Sequence, residues 1–254
     1  MHSTINKVLL LQLTQMYKKQ GLTSLCLYLV KVFNYRVINR YFRGSYSQKG
    51  EDLMLDKYFN HKRWGFYIDV GASHPTKLSN TRYFYDRGWH GINIEPSPNR
   101  IKLFFKERTR DINLNIGIGS KTGKVFFYGF EFPALSTFSE EEAKTLSKVG
   151  YKIRKKMKIQ MNRLEHIMKK YVKSDIDFMT IDTEGLDMDV LKSNDWKKFR
   201  PKLLCVETID FIDLLTSPKA DSKRKEVIDK YLLSQGYKEC YSNGLNTLYE
   251  DIQN

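Results

Sequence analysis

Short apolar runs alternate with amphipathic stretches along most of this chain, and this alternation predicts strands that are separated by helices. The runs predicted as strands are "FYIDV", "GINIEP", "INLNIGIG", "KVFFYGF", "MKIQM", "IDFMTID" and "KLLCVET". The stretches predicted as helices are "DLMLDKYF", Asn80–Asp86, Asn99–Glu107, "SEEEAKTL", "NRLEHIMKKY", "DMDVLKS" and "RKEVIDKYLLSQG". A closing hairpin is predicted around Asn243–Gly244, a dipeptide typical of tight turns between strands.

Several strands are apolar on both sides, which is typical of a mostly parallel sheet covered by helices on both faces. Ser139 with Glu142, and Asn162 with Glu165, have the spacing of a capping box at a helix start. The fold class is therefore α/β, and ligands of such sheets bind at the carboxyl ends of the strands.

The N-terminal stretch is predicted to form a helical appendage, residues 1–44, packed on one domain that spans residues 45–254. Apolar residues recur at helical spacing over residues 3–42, with a hinge near Gly21. Its apolar runs are shorter than the roughly 20 residues of a spanning helix. We therefore expect no secretory signal and a cytoplasmic protein, either free or bound peripherally at the inner membrane face.

The charge is strongly positive and unevenly distributed. The chain of 254 residues has a formal net charge of +14, and residues 144–173 hold eleven Lys or Arg against one acid. Such patches bind nucleic acid or anionic lipid, or they are simply solvated. Three scattered cysteines are too few for a disulfide framework or a zinc site.

Acidic residues end four of the predicted strands: Asp69, Glu95, Asp182 with Glu184, and Glu207. A single such carboxylate is usually a cap or a salt-bridge partner. Four at comparable points of successive strands indicate a functional crevice, because the carboxyl ends of parallel strands meet at one edge.

Gly71 follows the first of these strands, and Glu95 ends the next at about the 20-residue spacing of a ribose-binding acid. Glycine lets backbone approach a ligand closely, and the acid accepts hydrogen bonds from a ribose diol. One glycine, where dinucleotide sites have three, predicts a cofactor with a ribose and no phosphate.

Several consecutive motifs resemble the FkbM family of S-adenosylmethionine-dependent methyltransferases. They are "YSQKGEDLML", "GFYIDVGASHPTKLSNTRYFYDRGWHGINIEPSPN", "DINLNIGIGS", "ALSTF", "IDFMTIDTEGLDMDVL" and "LLCVET", and they cover roughly residues 45 to 250. The resemblance implies a Rossmann-like fold with seven strands, the last antiparallel. It also implies O-methylation of sugars in surface polysaccharides and glycosylated metabolites.

The resemblance also implies a cofactor site. The methionine part of S-adenosylmethionine would lie against Asp69, Gly71 and Ala72, and Glu95 would hold the ribose. Pro96, Ser97 and Asn115 would border the adenine.

Three more residues near these motifs have open roles. Gln48, with Asp52, either covers the cofactor pocket or follows a helix cap made by Ser47. Asn80 either contacts the ligand or caps the helix after it. His74 either acts as a base that contacts the substrate or is a surface histidine after a turn.

Catalysis is assigned to Asp182, with Glu184 and His74 as further candidates. A carboxylate at residue 182 either removes the proton of the sugar hydroxyl or holds a divalent metal, Mg²⁺ or Mn²⁺, together with Glu207. The structural alternative is that Asp182 caps the following loop.

Three functions are compatible with these features. The first is an O-methyltransferase acting on a sugar hydroxyl of a glycan. The second is a nucleic-acid methyltransferase that uses the basic surface, which the absence of an Asn/Asp-Pro-Pro-Tyr-like element disfavours. The third is a non-catalytic membrane anchor, and homo-oligomers are compatible with all three.

Overall fold

The computed structural model describes residues 44–131, 135–148, 150–209 and 220–253. The predicted N-terminal helices, residues 3–42, lie outside these ranges, so the division at residue 44 stays a prediction. No helix of the described part combines the length and the apolar character needed to cross a bilayer.

The described residues form ten strands: β1 (Phe66–Val70), β2 (His90–Ile94), β3 (Ile112–Leu114), β4 (Gly117–Ile118), β5 (Gly123–Phe130), β6 (Ile153–Asn162), β7 (Phe178–Ile181), β8 (Leu203–Glu207), β9 (Tyr237–Ser242) and β10 (Asn246–Asp251). They also form the helices α1 (Glu51–Tyr58), α2 (Arg82–Asp86), α3 (Pro98–Glu107), α4 (Glu140–Lys148), α5 (Leu164–Tyr171), α6 (Asp187–Lys192) and α7 (Ala220–Ser234). The helices and strands therefore alternate as the sequence predicts.

Seven strands form one sheet in the order β3-β2-β1-β7-β8-β10-β9. Only β10 is antiparallel to its neighbours β8 and β9, and the other pairs are parallel. This order confirms the predicted Rossmann-like fold of class I methyltransferases. The chain order reverses between β1 and β7, so the ligand crevice lies beyond the carboxyl ends of these two strands.

The central strands are buried on both faces, as predicted for a covered parallel sheet. Every residue of β1, β7 and β8 is buried. Successive side chains enter different core clusters: Tyr67 and Phe178 pack on one face, and Ile68 and Met179 on the other. This burial holds the strand ends, and the acids that follow them, in fixed positions.

A second sheet of three strands, β4-β6-β5, was not predicted as such. The stretch "INLNIGIG" divides, with β3 in the large sheet and β4 in the small one. The predicted short strand "MKIQM" is the end of the ten-residue strand β6. The first half of β6 is exposed and basic, so no apolar run marks it in the sequence.

One of the two predicted capping boxes is half formed and the other is wrong. The Ser139 hydroxyl accepts the backbone N–H of Glu142 at 3.2 Å, as predicted. Asn162 ends β6 instead of capping α5, because it pairs with Ile118 of β4. The first N–H of α5 is satisfied by the distant hydroxyl of Ser193 at 3.0 Å.

Candidate functional site

The loop after β1 uses its backbone N–H groups within the protein. Gly71 and Ala72 both donate to the carbonyl oxygen of Ile94, at 3.0 and 3.1 Å. The N–H of Ser73 donates to the Glu95 carboxylate at 2.8 Å. Phosphate-binding loops need such groups pointing at the ligand. These three N–H groups are engaged, which fits a cofactor without a phosphate.

Gly71 is required by a close approach of two backbone segments. Its φ is +83°, and a Cβ at this position would lie 1.8 Å from the carbonyl oxygen of Asp182. The Asp182 N–H also donates to the Val70 carbonyl at 3.0 Å, so the ends of β1 and β7 are joined here. Gly71 was predicted to make room for a ligand, but the close contact that this glycine permits is with the backbone of Asp182.

Glu95 lies directly after β2 and is 2% exposed. Its two carboxylate oxygens accept the N–H groups of Ser73 at 2.8 Å and Ser97 at 2.7 Å. Burial raises the pKa of Glu95 to about 7, although Arg100 and these two hydrogen bonds oppose the shift. An ionised carboxylate has about four acceptor positions, so two remain for a ribose diol.

The segment after Glu95 is held by Asn115. The Asn115 amide donates to the carbonyl oxygens of Glu95 and Pro96, both at 2.9 Å. Ser97, half-buried, precedes the first turn of α3. Asn115 therefore positions the residues predicted to border the adenine. Its own contact with a ligand stays a prediction.

Ala72 packs into a small cluster with Ile101 and Phe104 of α3. This contact fixes the loop after β1 against the helix that follows Glu95. The two cofactor motifs are therefore held together by apolar packing as well as by the bonds to Ile94.

Asp69 is 5% exposed and accepts the Thr81 hydroxyl at 2.7 Å. Burial raises its pKa to about 6. Its carboxylate thus ties β1 to the start of α2. Any contact with the methionine part of the cofactor is left as a prediction.

Sequence reasoning missed Arg108, whose side chain is completely buried. Its guanidinium donates to the Pro75 carbonyl at 3.0 Å, the Ser79 hydroxyl at 3.1 Å and the Thr81 hydroxyl at 2.8 Å. The same group lies 3.6 Å from the Asp111 carboxylate. Arg108 therefore fixes the loop over residues 75–81, which follows the cofactor motif.

His74 closes a turn. Its Nδ1 accepts the N–H groups of Thr76 and Lys77, both at 3.1 Å. The proton of the neutral ring is therefore on Nε2, and burial lowers the pKa of His74. The lone pair that a base needs is already engaged, so the structure favours a structural role for this histidine.

Asn80 does not cap α2, which was one of its two predicted roles. The hydroxyl of Ser79 accepts the Arg82 N–H at 3.1 Å instead. The Asn80 amide donates to Thr180 Oγ1 of β7 at 3.0 Å. Asn80 thus lies over the central strands, and its contact with a ligand stays a prediction.

A buried acid and an exposed amide lie near the start of α1. The Asp52 carboxylate is fully buried and accepts Ser45 Oγ at 2.6 Å and Ser47 Oγ at 2.8 Å. Asp52 therefore ties the first turn of α1 to the segment before it. Gln48 is exposed, and its predicted role over the cofactor pocket is untested.

A cluster of carboxyl groups lies at the ends of β7 and β8. Asp182 is half-buried there, while Glu207 is 6% exposed. Desolvation by burial and the Asp187 carboxylate raise the pKa of Asp182 to about 7. Burial and the Asp182 carboxylate raise the pKa of Glu207 well above its usual range. Both shifts disfavour the state in which the two carboxyl groups are ionised together.

Arg224 of α7 supplies the positive charge of this cluster. Its guanidinium contacts the Asp187 carboxylate and lies 3.9 Å from Glu207 Oε2. Asp187 also accepts the N–H and the hydroxyl of Thr183, at 2.9 and 3.0 Å. Glu207 Oε2 itself is buried without a hydrogen-bond partner among the described residues. An orphaned acceptor or donor of this kind needs a ligand or a proton.

The structure gives the predicted metal site no support. In the part of the chain that the structure describes, no group of three or more His, Cys, Asp or Glu side chains could hold a metal ion.

Glu184 connects the crevice to the small sheet. It has a φ of +49°, and its carbonyl oxygen lies 3.1 Å from Thr137 Oγ1. The same hydroxyl lies 2.7 Å from the carboxylate of Glu142 in α4. A Cβ at Gly185 would lie 1.8 Å from Glu142 Oε1, so α4 packs directly on the turn after β7.

The strand order agrees with a family match. A family model described as the methyltransferase FkbM domain matches residues 69–239. The chain belongs to the FkbM methyltransferase family. The resemblance recognised in the sequence, to a family of S-adenosylmethionine-dependent methyltransferases, is confirmed.

Solved structures with similar folds are distant. The methyltransferase FkbM of Methylobacillus flagellatus is 15% identical over 74% of this chain, with a TM-score of 0.39. The chain spans 44% of the length of that protein. A fibrillarin pre-rRNA processing protein of Methanococcus jannaschii is 13% identical over 74% of this chain and 67% of its own, with a TM-score of 0.41.

A third structure, the 1,6-didemethyltoxoflavin-N1-methyltransferase of Burkholderia thailandensis, is 12% identical over 88% of this chain and 85% of its own, with a TM-score of 0.39. No curated protein matches the chain. The fold assignment of this FkbM protein therefore rests on its strand order and on the family model.

Proposed function

We propose that this FkbM methyltransferase transfers a methyl group to a sugar hydroxyl of a glycan or glycoconjugate, with Asp182 as the base. The carboxyl pair of Asp182 and Glu207 at the switch point of the sheet carries this proposal. Burial and the Asp187 carboxylate raise the pKa of Asp182 to about 7, which suits a general base that works near neutral pH.

The cofactor site is assigned to residues at the ends of β1 and β2. S-adenosylmethionine, when bound, supplies a methyl group on a sulfonium. Glu95 would accept the ribose diol with its two remaining acceptor positions. Asp69, Gly71 and Ala72 would border the methionine part. The adenine would lie against Pro96 and Ser97, in the segment that Asn115 holds.

The chemical step that this chain must assist is removal of the hydroxyl proton. A sugar hydroxyl is a weak nucleophile near pH 7, so a positioned base accelerates its attack. The ionised Asp182 carboxylate accepts that proton, while Glu207 keeps its own. Glu184, half-buried on the turn after β7, lies where it would bind a neighbouring hydroxyl and align the sugar.

The proposal is tested by incubating the protein and S-adenosylmethionine with oligosaccharides, lipid-linked sugars and RNA, with and without chelator. We expect a saccharide to gain the mass of one methyl group, attached at an oxygen. We also expect this activity to be retained in chelator. Methylation of RNA alone would contradict it. Activity lost in chelator and restored by Mg²⁺ or Mn²⁺ would instead assign Asp182 and Glu207 to a metal.

A peripheral membrane location is a separate part of the proposal. It rests on the basic sequence of residues 1–45, which holds seven Lys or Arg and no acid. Such segments bind anionic leaflets, where lipid-linked glycans are assembled. Flotation with anionic and with neutral liposomes tests it, and equal recovery with both would contradict it.

A further inference from the structure

A pocket of about 470 Å³ lies on the small sheet, between α4 and the strands β5 and β6. This volume falls in the range of sites for small molecules. Six of its lining residues are apolar or basic: Tyr128, Ala143, Lys144, Lys148, Ile153 and Lys156. The other two lining residues are Glu140 and Ser147, so the lining combines apolar side chains with three lysines and one acid.

Most of the positive charge at this pocket is not neutralised. Lys144 pairs with Glu140, with Nζ and Oε1 3.1 Å apart. Lys148 and Lys156 form no ion pair with any acid in the described ranges, and neither does the exposed Lys158 farther along β6. An anionic ligand would neutralise these unpaired ammonium groups.

The exposed aromatic ring beside the pocket is covered by lysines. Phe126 is 43% exposed. The ammonium groups of Lys156 and Lys158 lie 4.3 and 5.3 Å from its ring centroid. These two ammonium groups compete with a nucleic-acid base for stacking on the ring. A compact anionic ligand fits this surface better than a single nucleic-acid strand.

The pocket is connected to the crevice through α4. One side of α4 lines the pocket, while Glu142 of the same helix packs on Gly185 in the turn after β7. A helix is roughly 10 Å across. A glycan bound at the pocket would therefore need to cross only this width to reach the turn after β7.

We propose that the pocket of α4, β5 and β6 binds an acidic glycan, one that carries phosphate, sulfate or carboxylate groups. In this way the small sheet selects the acceptor for methyl transfer. The acceptor role rests on the proposed function, whereas the binding itself does not.

The binding is tested with fluorescent dextran sulfate, neutral dextran and the full chain, by anisotropy. The variant K144E/K148E/K156E changes the pocket. The control variant is K169E/K170E/K173E, which changes the net charge by the same amount. Its three lysines are exposed and lie in α5 or just after it. The pocket variant should weaken dextran sulfate binding by about tenfold or more, since each charge-assisted contact contributes that much. The α5 variant should change it by less than about threefold, because its charges act only at long range.

Equal losses in the two variants would overturn the proposal, since they would show general charge attraction. Tighter binding of RNA or of anionic vesicles than of dextran sulfate, lost in the pocket variant, would assign the surface to those partners instead. Lys156→Glu alone repeats the test at one exposed side chain. Binding of S-adenosylhomocysteine should be unchanged in every variant, so failure of the cofactor site is distinguishable from failure of the pocket.

Discussion

The backbone of Asp182 occupies the space that a side chain at Gly71 would need. The carbonyl oxygen of Asp182 lies 1.8 Å from the position of a Cβ on residue 71. Gly71 begins the cofactor loop and Asp182 is the proposed base. The loop proposed to border the cofactor and the proposed base are therefore fixed relative to each other by direct contact between backbone segments.

Gly71→Ala should destabilise the protein by more than about 2 kcal/mol, because it adds a backbone collision to the cost of a positive φ. Gly244→Ala is the control, since Gly244 has a φ of +76° and nothing within 4 Å of its added Cβ. Urea unfolding measures both. Equal losses of free energy of unfolding would show that the contact with Asp182 has no consequence.

Arg108→Met should destabilise the fold by about 3–5 kcal/mol, because it leaves the buried Asp111 and several oxygen atoms without their partner. Arg110→Met, at an exposed neighbour, should cost far less. Urea unfolding compares the two variants. A loss for Arg108→Met no greater than for Arg110→Met would show that the 75–81 loop does not depend on the buried guanidinium.

Glu95→Gln should weaken S-adenosylhomocysteine binding by about 1.5–3 kcal/mol, the contribution of hydrogen bonds to a charged group. The amide keeps the shape and one acceptor oxygen for Ser73 or Ser97. Calorimetry measures the affinity, with Glu141→Gln as an exposed control. Unchanged affinity in the folded Glu95 variant would remove this carboxylate from the ribose site.

The free energy of unfolding should fall as the pH rises from about 5 to 8. Burial raises the pKa of Asp69 to about 6, and the pKa of Glu95 and of Asp182 to about 7. Between the ordinary carboxyl pKa values of the unfolded chain and these raised values, the folded state binds more protons than the unfolded state. The free energy of unfolding therefore falls as these groups ionise. Glu95→Gln should flatten the slope. A free energy of unfolding that rises with pH over this range would contradict the raised pKa values of these carboxyl groups. So would a pH dependence that Glu95→Gln leaves unchanged.

Much of the large sheet and the position of its acids was predictable from the sequence. Buried parallel strands such as β1 and β7 are continuous apolar runs, so their ends, and with them Glu95 and Asp182, could be located. The order of chain elements then placed these acids at one edge. The direct backbone contact between Gly71 and Asp182 could not be predicted, because the sequence indicates which strand ends are neighbours but not how closely their backbones approach.

Other features depend on tertiary contacts that leave no local signal. The basic half of β6 has no apolar pattern, so only its end was recognised. Arg108 looks like an ordinary surface arginine in "KERTRD", yet it is completely buried among polar groups of a distant loop. Asn162 has the spacing of a cap, but pairing with Ile118 in the small sheet takes precedence.

The role of Asp182 is tested most directly by turnover in the Asp182→Asn variant, with methyl transfer followed on a saccharide that the wild-type protein modifies. We predict a fall of about 10²-fold or more, with S-adenosylhomocysteine affinity retained, because a base acts in the transition state. Turnover of the wild-type protein should increase with pH, with an apparent pKa of about 7, and this increase should be absent in the variant. Asp175→Asn, at an exposed position, should be normal. Near-normal turnover and an unchanged pH profile in Asp182→Asn would contradict the assignment of the base.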